Sequence, residues 1–116
     1  MLTDLDVLRT ASAVIRERGW HQGTYFDEAE QAEGVPVEQC AVCALAALNV
    51  AAGKEPDAFL EGVAETAAQW LYLVLEPMGI KSIHEWNDAG GRTADEVLEV
   101  FERAAELVQA PEGLTL

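Results

Sequence analysis

Basic residues are scarce in this chain. Seven Lys and Arg stand against 21 Asp and Glu, a formal net charge of −14. Phosphate recognition needs clustered Lys or Arg, so direct nucleic-acid binding is not expected, and anionic membrane surfaces should repel the chain. Such a surface attracts basic partners or cations, although it also serves solubility alone. Cysteine is nearly missing: Cys40 and Cys43 are too few for the disulfide scaffold of a small secreted protein. Asp4 and Asp6 stand where a secretory signal would carry Lys or Arg, and no charge-free apolar run reaches the roughly 20 residues of a membrane span. These absences predict a cytoplasmic protein. The chain also lacks a Walker loop, a GxGxxG turn, an HExxH helix and an EF-hand loop. No catalytic residue, cofactor or metal is therefore expected.

What remains is rich in alanine and helical in its periodicity. With 116 residues the chain fits one domain, which can bury enough surface to fold without metal or disulfide. Thr3 and Asp6 form a capping box, and Leu5, Leu8, Ala11, Val14 and Ile15 recur at helical spacing up to Gly19; this predicts a helix over 4–18. Residues 19–35 break the pattern with three glycines and four acids. Thr24–Phe26 and Val35–Val37 could pair as a small β-hairpin there, or the segment could be an irregular loop. Pro36 suits a first helical turn, and the stretch from Cys40 to Leu48 carries no charge. A helix apolar all round must be enclosed, so a central helix is predicted over 36–52.

A third helix is predicted from Asp57, as its cap, to Glu76, with Leu60, Val63, Ala64, Ala67, Leu71, Val74 and Leu75 inside. Ser82 opens a short helix ending at Trp86 or Asn87. The capping box Thr93-Ala94-Asp95-Glu96 starts the last helix, which Pro111 and Gly113 end before a frayed terminus. The expected architecture is all-α: a compact bundle of four main helices plus one short helix, around the apolar second helix.

Three segments carry a resemblance that spans nearly the whole chain. They are Arg16-Glu17-Arg18-Gly19-Trp20 with Gln22-Gly23, Cys40-Ala41-Val42-Cys43-Ala44-Leu45, and Ile83-His84-Glu85-Trp86-Asn87-Asp88 running through Gly91-Arg92-Thr93 to Glu96-Val97-Leu98. This pattern resembles a family of small proteins from actinobacteria and their phages that has no assigned activity. The resemblance implies an accessory protein of that origin, and it implies no mechanism.

Trp20, Gln22, Gly23, Trp86, Asn87, Asp88 and Arg92 all fall at helix ends or in turns, outside the periodic stripes. Indole N–H groups seek partners, and Asn and Asp in turns bond nearby backbone. These residues either shape the helix entrances or converge into a small polar pocket with aromatic walls, able to hold a ligand or a partner side chain. Two acidic stripes offer a second surface: Asp57, Glu61 and Glu65, and Asp95, Glu99, Glu102 and Glu106. Four residues of helix rise ~6 Å, close to the phosphate spacing of a DNA strand, so such stripes could imitate DNA as well as simply face solvent.

Cys40 and Cys43, placed one helical turn apart, could join His21 and His84 in a zinc site or pair with His84 and Asn87 or Asp88 as a nucleophile. Burial among Ala41, Val42, Ala44 and Leu45 favours neutral, unreactive thiols instead. The leading expectation is a non-enzymatic interaction module with a protein partner, of which an acidic inhibitor of a host protein is one form. The alternative is a small cysteine-dependent or zinc-binding protein.

Overall fold

Thr3 accepts the Asp6 N–H while the Asp6 carboxylate accepts the Thr3 N–H, and this reciprocal cap launches α1 (Asp4–Arg18). The computed structural model describes residues 1–110. After α1 come α2 (Glu28–Ala32), α3 (Ala44–Ala51), α4 (Gly62–Leu75), α5 (Ile83–Asp88) and α6 (Ala94–Gln109), with short 3-10 turns at Val37–Gln39 and Glu76–Met78. Among the described residues there is no strand, only two isolated bridges at Val42. The fold is all-α, as the periodicity predicts. No helix among the described residues is long and apolar enough to cross a membrane.

α1 packs on α3, α4 and α6, α4 packs on α3 and α6, and α5 packs on α3, so that these helices share one contiguous core. Leu8, Leu48, Leu71, Leu75 and Phe101 are completely buried there. Each such side chain gains roughly 1.5–3 kcal/mol from leaving water, so this cluster dominates the stabilisation. Alanines line the inner faces of α3, α4 and α6 and let the helix backbones approach closely. Polar ties reinforce the packing of α1 on α4: Trp70 Nε1 donates to Asp4 Oδ2 at 2.9 Å, and Thr66 Oγ1 donates to Asp4 Oδ1.

The predicted central helix over 36–52 is corrected. The uncharged stretch is enclosed, with Cys40, Val42, Ala44, Ala46, Ala47 and Leu48 at zero exposure, but the α-helix begins only at Ala44 and ends at Ala51. Residues 40–43 are extended because their backbone groups bond sideways to residues 19–27. Val42 N–H donates to Gly19 O at 3.1 Å and His21 N–H to Val42 O at 3.0 Å on one flank. On the other, Asp27 N–H donates to Ala41 O at 2.9 Å and Cys43 N–H to Tyr25 O at 3.0 Å. A helix through 40–43 would claim these groups and strand the loop's own.

The hairpin reading is corrected by the same contacts. Phe26 pairs with Val42, not with residues 35–37, and the intervening chain holds α2, capped by the Asp27 side chain. The third helix is also shorter than predicted. Asn49 Nδ2 donates to Pro56 O at 3.3 Å and Ala58 O at 2.9 Å, which holds residues 56–58 as a turn and delays the helix to Gly62. Asp57 therefore caps nothing. α6 runs as its capping box predicts; the expected stop at Pro111 and Gly113 and the frayed terminus lie outside the described residues.

Candidate functional site

Three stretches distant in sequence meet at Asn87, which is 1% exposed at the end of α5. Its Oδ1 accepts from Trp20 Nε1 at 2.7 Å and from Ala44 N–H at 3.0 Å. Its Nδ2 donates to His21 O at 3.1 Å and to Asp88 Oδ1 at 2.9 Å. Two acceptances and two donations satisfy the primary amide completely. The Ala44 N–H is one of the donors a helix leaves unpaired at its start, so Asn87 caps α3 from another part of the chain. Cys43 caps it locally, its Sγ accepting from Ala46 N–H at 3.4 Å.

The residues around Asn87 extend the clasp. Gln22 Nε2 donates to Asn87 O at 2.9 Å and Ala89 O at 3.0 Å, and Gly23 N–H donates to Asp88 Oδ1 at 3.0 Å. Partial burial opposes ionisation of Asp88, but the Gly23 N–H, the Asn87 amide and the His84 and His21 rings outweigh it and hold the carboxyl below its ordinary range. His84 Nε2 lies 3.5 Å from Asp88 Oδ2. The Thr24 hydroxyl gives its proton to Phe26 O, so His21 donates from Nε2 to Thr24 Oγ1 at 2.8 Å. Behind the clasp, Arg92 Nε donates to Trp86 O at 3.0 Å and its guanidinium lies 5.1 Å over the Trp86 ring. Trp86 is a core residue at 3% exposure.

The seven turn residues singled out in the sequence thus gather in space, and Trp20, Gln22, Gly23, Asn87 and Asp88 share one hydrogen-bond network. Open volume lies beside that network. A cleft of about 300 Å³ is lined by Gly23, Thr24, Tyr25, Phe26, Glu28, Cys43, Asp57 and His84. Trp86 and Arg92 border a different cleft of about 190 Å³, with Val74, Met78, Glu96, Glu99, Val100 and Arg103. In the sequence Tyr25 and Phe26 read as part of a possible hairpin and Glu28 as one acid among several. Two consecutive aromatics inside an otherwise acidic loop were the available signal.

Cys40 and Cys43 occupy extended backbone and a helix cap, not one helical face. The Cys40 thiol points at Pro36 O (3.5 Å) and Val35 O (3.7 Å); burial, then the neighbouring Glu30 and Asp27 carboxylates, push its pKa up. Burial also pushes up Cys43, against the opposing pull of the Ala46 and Leu45 N–H groups. Both thiols are free. Cys43 and His84 border the same cleft, but the imidazole of His84 lies against the Asp88 carboxylate. Among the described residues no three His, Cys, Asp or Glu side chains group as metal ligands.

The acidic stripes fare differently. Asp95, Glu99, Glu102 and Glu106 are all exposed along α6, with Arg103 Nη2 3.2 Å from Glu99 and Arg16 Nη2 4.0 Å from Glu102. Asp57, Glu61 and Glu65 do not form one helical stripe, because α4 begins only at Gly62.

Fold and site together define a small all-α domain whose largely buried helix α3 is capped by a clasp of residues from distant segments. Residues 1–107 match the model of a family of unknown function, DUF6197, and the chain belongs to that family. No curated protein and no solved structure matches the chain.

Proposed function

We propose that this protein is a non-enzymatic interaction module that captures a basic segment of a partner protein in the cleft beside the Asn87 clasp. One observation carries the reading: the cleft has Tyr25 and Phe26 as walls, Glu28 and Asp57 as carboxylates, and no Lys or Arg in its lining. Aromatic faces and carboxylates are the groups that receive Lys and Arg side chains. The net charge of −14 steers such a segment toward the surface from a distance. The clasp of Trp20, Gln22, Gly23, Asn87 and Asp88 serves as the rigid frame, and residues 23–28 present the contact groups. In this reading the module is an accessory protein of actinobacterial or phage type acting in the reducing cytoplasm, where Cys40 and Cys43 stay as thiols, and it engages neither nucleic acid nor membrane.

The test is a titration of ¹⁵N-labelled protein with a peptide of alternating lysine and leucine, with a glutamate-leucine peptide as control. Shifts should centre on Thr24, Tyr25, Glu28 and His84, and Tyr25→Ala or Glu28→Gln should weaken them without changing the fold. Equal shifts along Asp95, Glu99, Glu102 and Glu106 would replace this reading with one based on the α6 stripe.

A further inference from the structure

Asn49 lies in α3 at 1% exposure. Its Nδ2 is committed to Pro56 O and Ala58 O, which fixes the orientation of the amide. Its Oδ1 is buried and has no partner among the described residues. A buried acceptor without a donor is a rare and unfavourable state, and it calls for a group that the folded chain does not supply. Asn49 borders a second cleft, of about 230 Å³, together with Tyr25, Leu45, Asp57, Phe59 and Leu60. Phe59, which borders the same cleft, leaves 88% of its surface in water. Lys54, close by in sequence, is already engaged: its Nζ donates to Phe59 O at 2.6 Å and lies 3.8 Å from Glu61.

Tyr25 and Asp57 border both this cleft and the one beside the Asn87 clasp, so the two clefts adjoin at those side chains. We propose that the second cleft is an arginine pocket, receiving one arginine side chain of the basic partner segment. This rests on the interaction reading above and names the residue that anchors it. Asn49 Oδ1 has no contact with solvent, so the guanidinium reaches it by parting the cleft wall; it has donors enough to serve that oxygen and the Asp57 carboxylate together, and its planar face matches the open rings of Phe59 and Tyr25. Its methylene stem suits Leu45 and Leu60. A water molecule would satisfy Asn49 Oδ1 equally well, but it would leave the Phe59 ring uncovered.

The experiment titrates isotope-labelled full-length protein with the peptide acetyl-Ala-Leu-Arg-Leu-Ala-amide and with the same peptide carrying citrulline, which keeps the shape and removes the charge. The arginine peptide should shift the Asn49 side-chain NH₂ and the Phe59 ring signals, and should bind about tenfold tighter than the citrulline peptide. Phe59→Ala and Asp57→Asn, both at exposed positions, should each weaken binding about fivefold with an unchanged thermal midpoint. Equal affinity for the two peptides overturns the arginine pocket. Shifts confined to Thr24, Phe26, Glu28 and His84 also overturn it, while leaving the interaction reading intact; silence in both clefts, for this peptide and the lysine-leucine peptide, removes both.

Discussion

Replacing Asn87 with Asp changes one NH₂ group to an oxygen and almost nothing in shape, so it isolates the clasp's hydrogen-bond logic from its packing. Oδ1 could still accept from Trp20 and Ala44 N–H. The new oxygen would face His21 O and Asp88 Oδ1, now 3.1 and 2.9 Å from a donor. Two bonds become two acceptor–acceptor contacts, one of them between carboxylates, at a position 1% exposed. An uncompensated buried charge of this kind costs about 3–5 kcal/mol, a large share of the roughly 5–15 kcal/mol that holds an ordinary domain. Urea unfolding followed by circular dichroism, with a slope of roughly 1–3 kcal/mol per molar, should show the midpoint falling by about 2 M at pH 7. The deficit has a predictable pH dependence. Burial and Asp88 would raise the pKa of the introduced carboxyl in the folded state, so the penalty is greatest above that pKa. It shrinks as the pH falls through it, because the protonated acid again donates. A loss below about 1 kcal/mol at pH 7, or a deficit that grows on acidification, would refute the claim that Asn87 is held by four directed bonds.

Asp88, whose folded pKa is depressed, contributes stability that is present above the ordinary carboxylate range and lost as pH falls through the folded value; Asp88→Asn should flatten the acid limb of the stability profile measured by urea midpoints from pH 6 to 2. Cys43→Ala should cost about 1 kcal/mol by removing the α3 cap, while Cys43→Ser, a preferred capping residue, should hold or raise the thermal midpoint. Both thiols should react with a disulfide reagent at pH 8 only at the rate of global or local unfolding, and an immediate one-equivalent reaction would contradict their burial. Gly19, at φ 101°, should lose more than about 1 kcal/mol on replacement by Ala, read as a drop in urea midpoint.

The long helices were legible because their signals are local. The Thr3 and Thr93 capping boxes and the stripe from Leu8 to Ile15 specify start, face and stop within a few residues of one another. The break at 40–43 was not legible, because its cause is remote: Gly19, His21, Tyr25 and Asp27 claim its backbone groups, and Cys43 is a capping residue that propensity does not rank. The false start at Asp57 has a nearer cause, since the turn it occupies is held by the side chain of Asn49 in the preceding helix. Of the seven residues outside the stripes, Trp20, Gln22, Gly23, Asn87 and Asp88 share one hydrogen-bond network, while Trp86 and Arg92 border a different cleft. The two clefts escaped notice because Tyr25 read as part of a possible hairpin and Phe59 fell inside the predicted third helix, and open volume has no local pattern.

Asp27 N–H and Ala41 O, 2.9 Å apart, pin the two ends of the excursion formed by residues 28–39. That excursion is closed at its base, much as an Ω-loop is, and its apex at Gly34 is exposed with no heavy atom near the position a Cβ would take. Lengthening it should be inexpensive, because doubling a flexible loop adds only about 0.6 kcal/mol of closure entropy. Even one extra residue between Cys40 and Ala44 would instead shift the register of both flanking bridges. Gly34 is therefore the natural graft point for a tag or reporter in this protein, and the four residues that follow the excursion are the least tolerant of altered spacing.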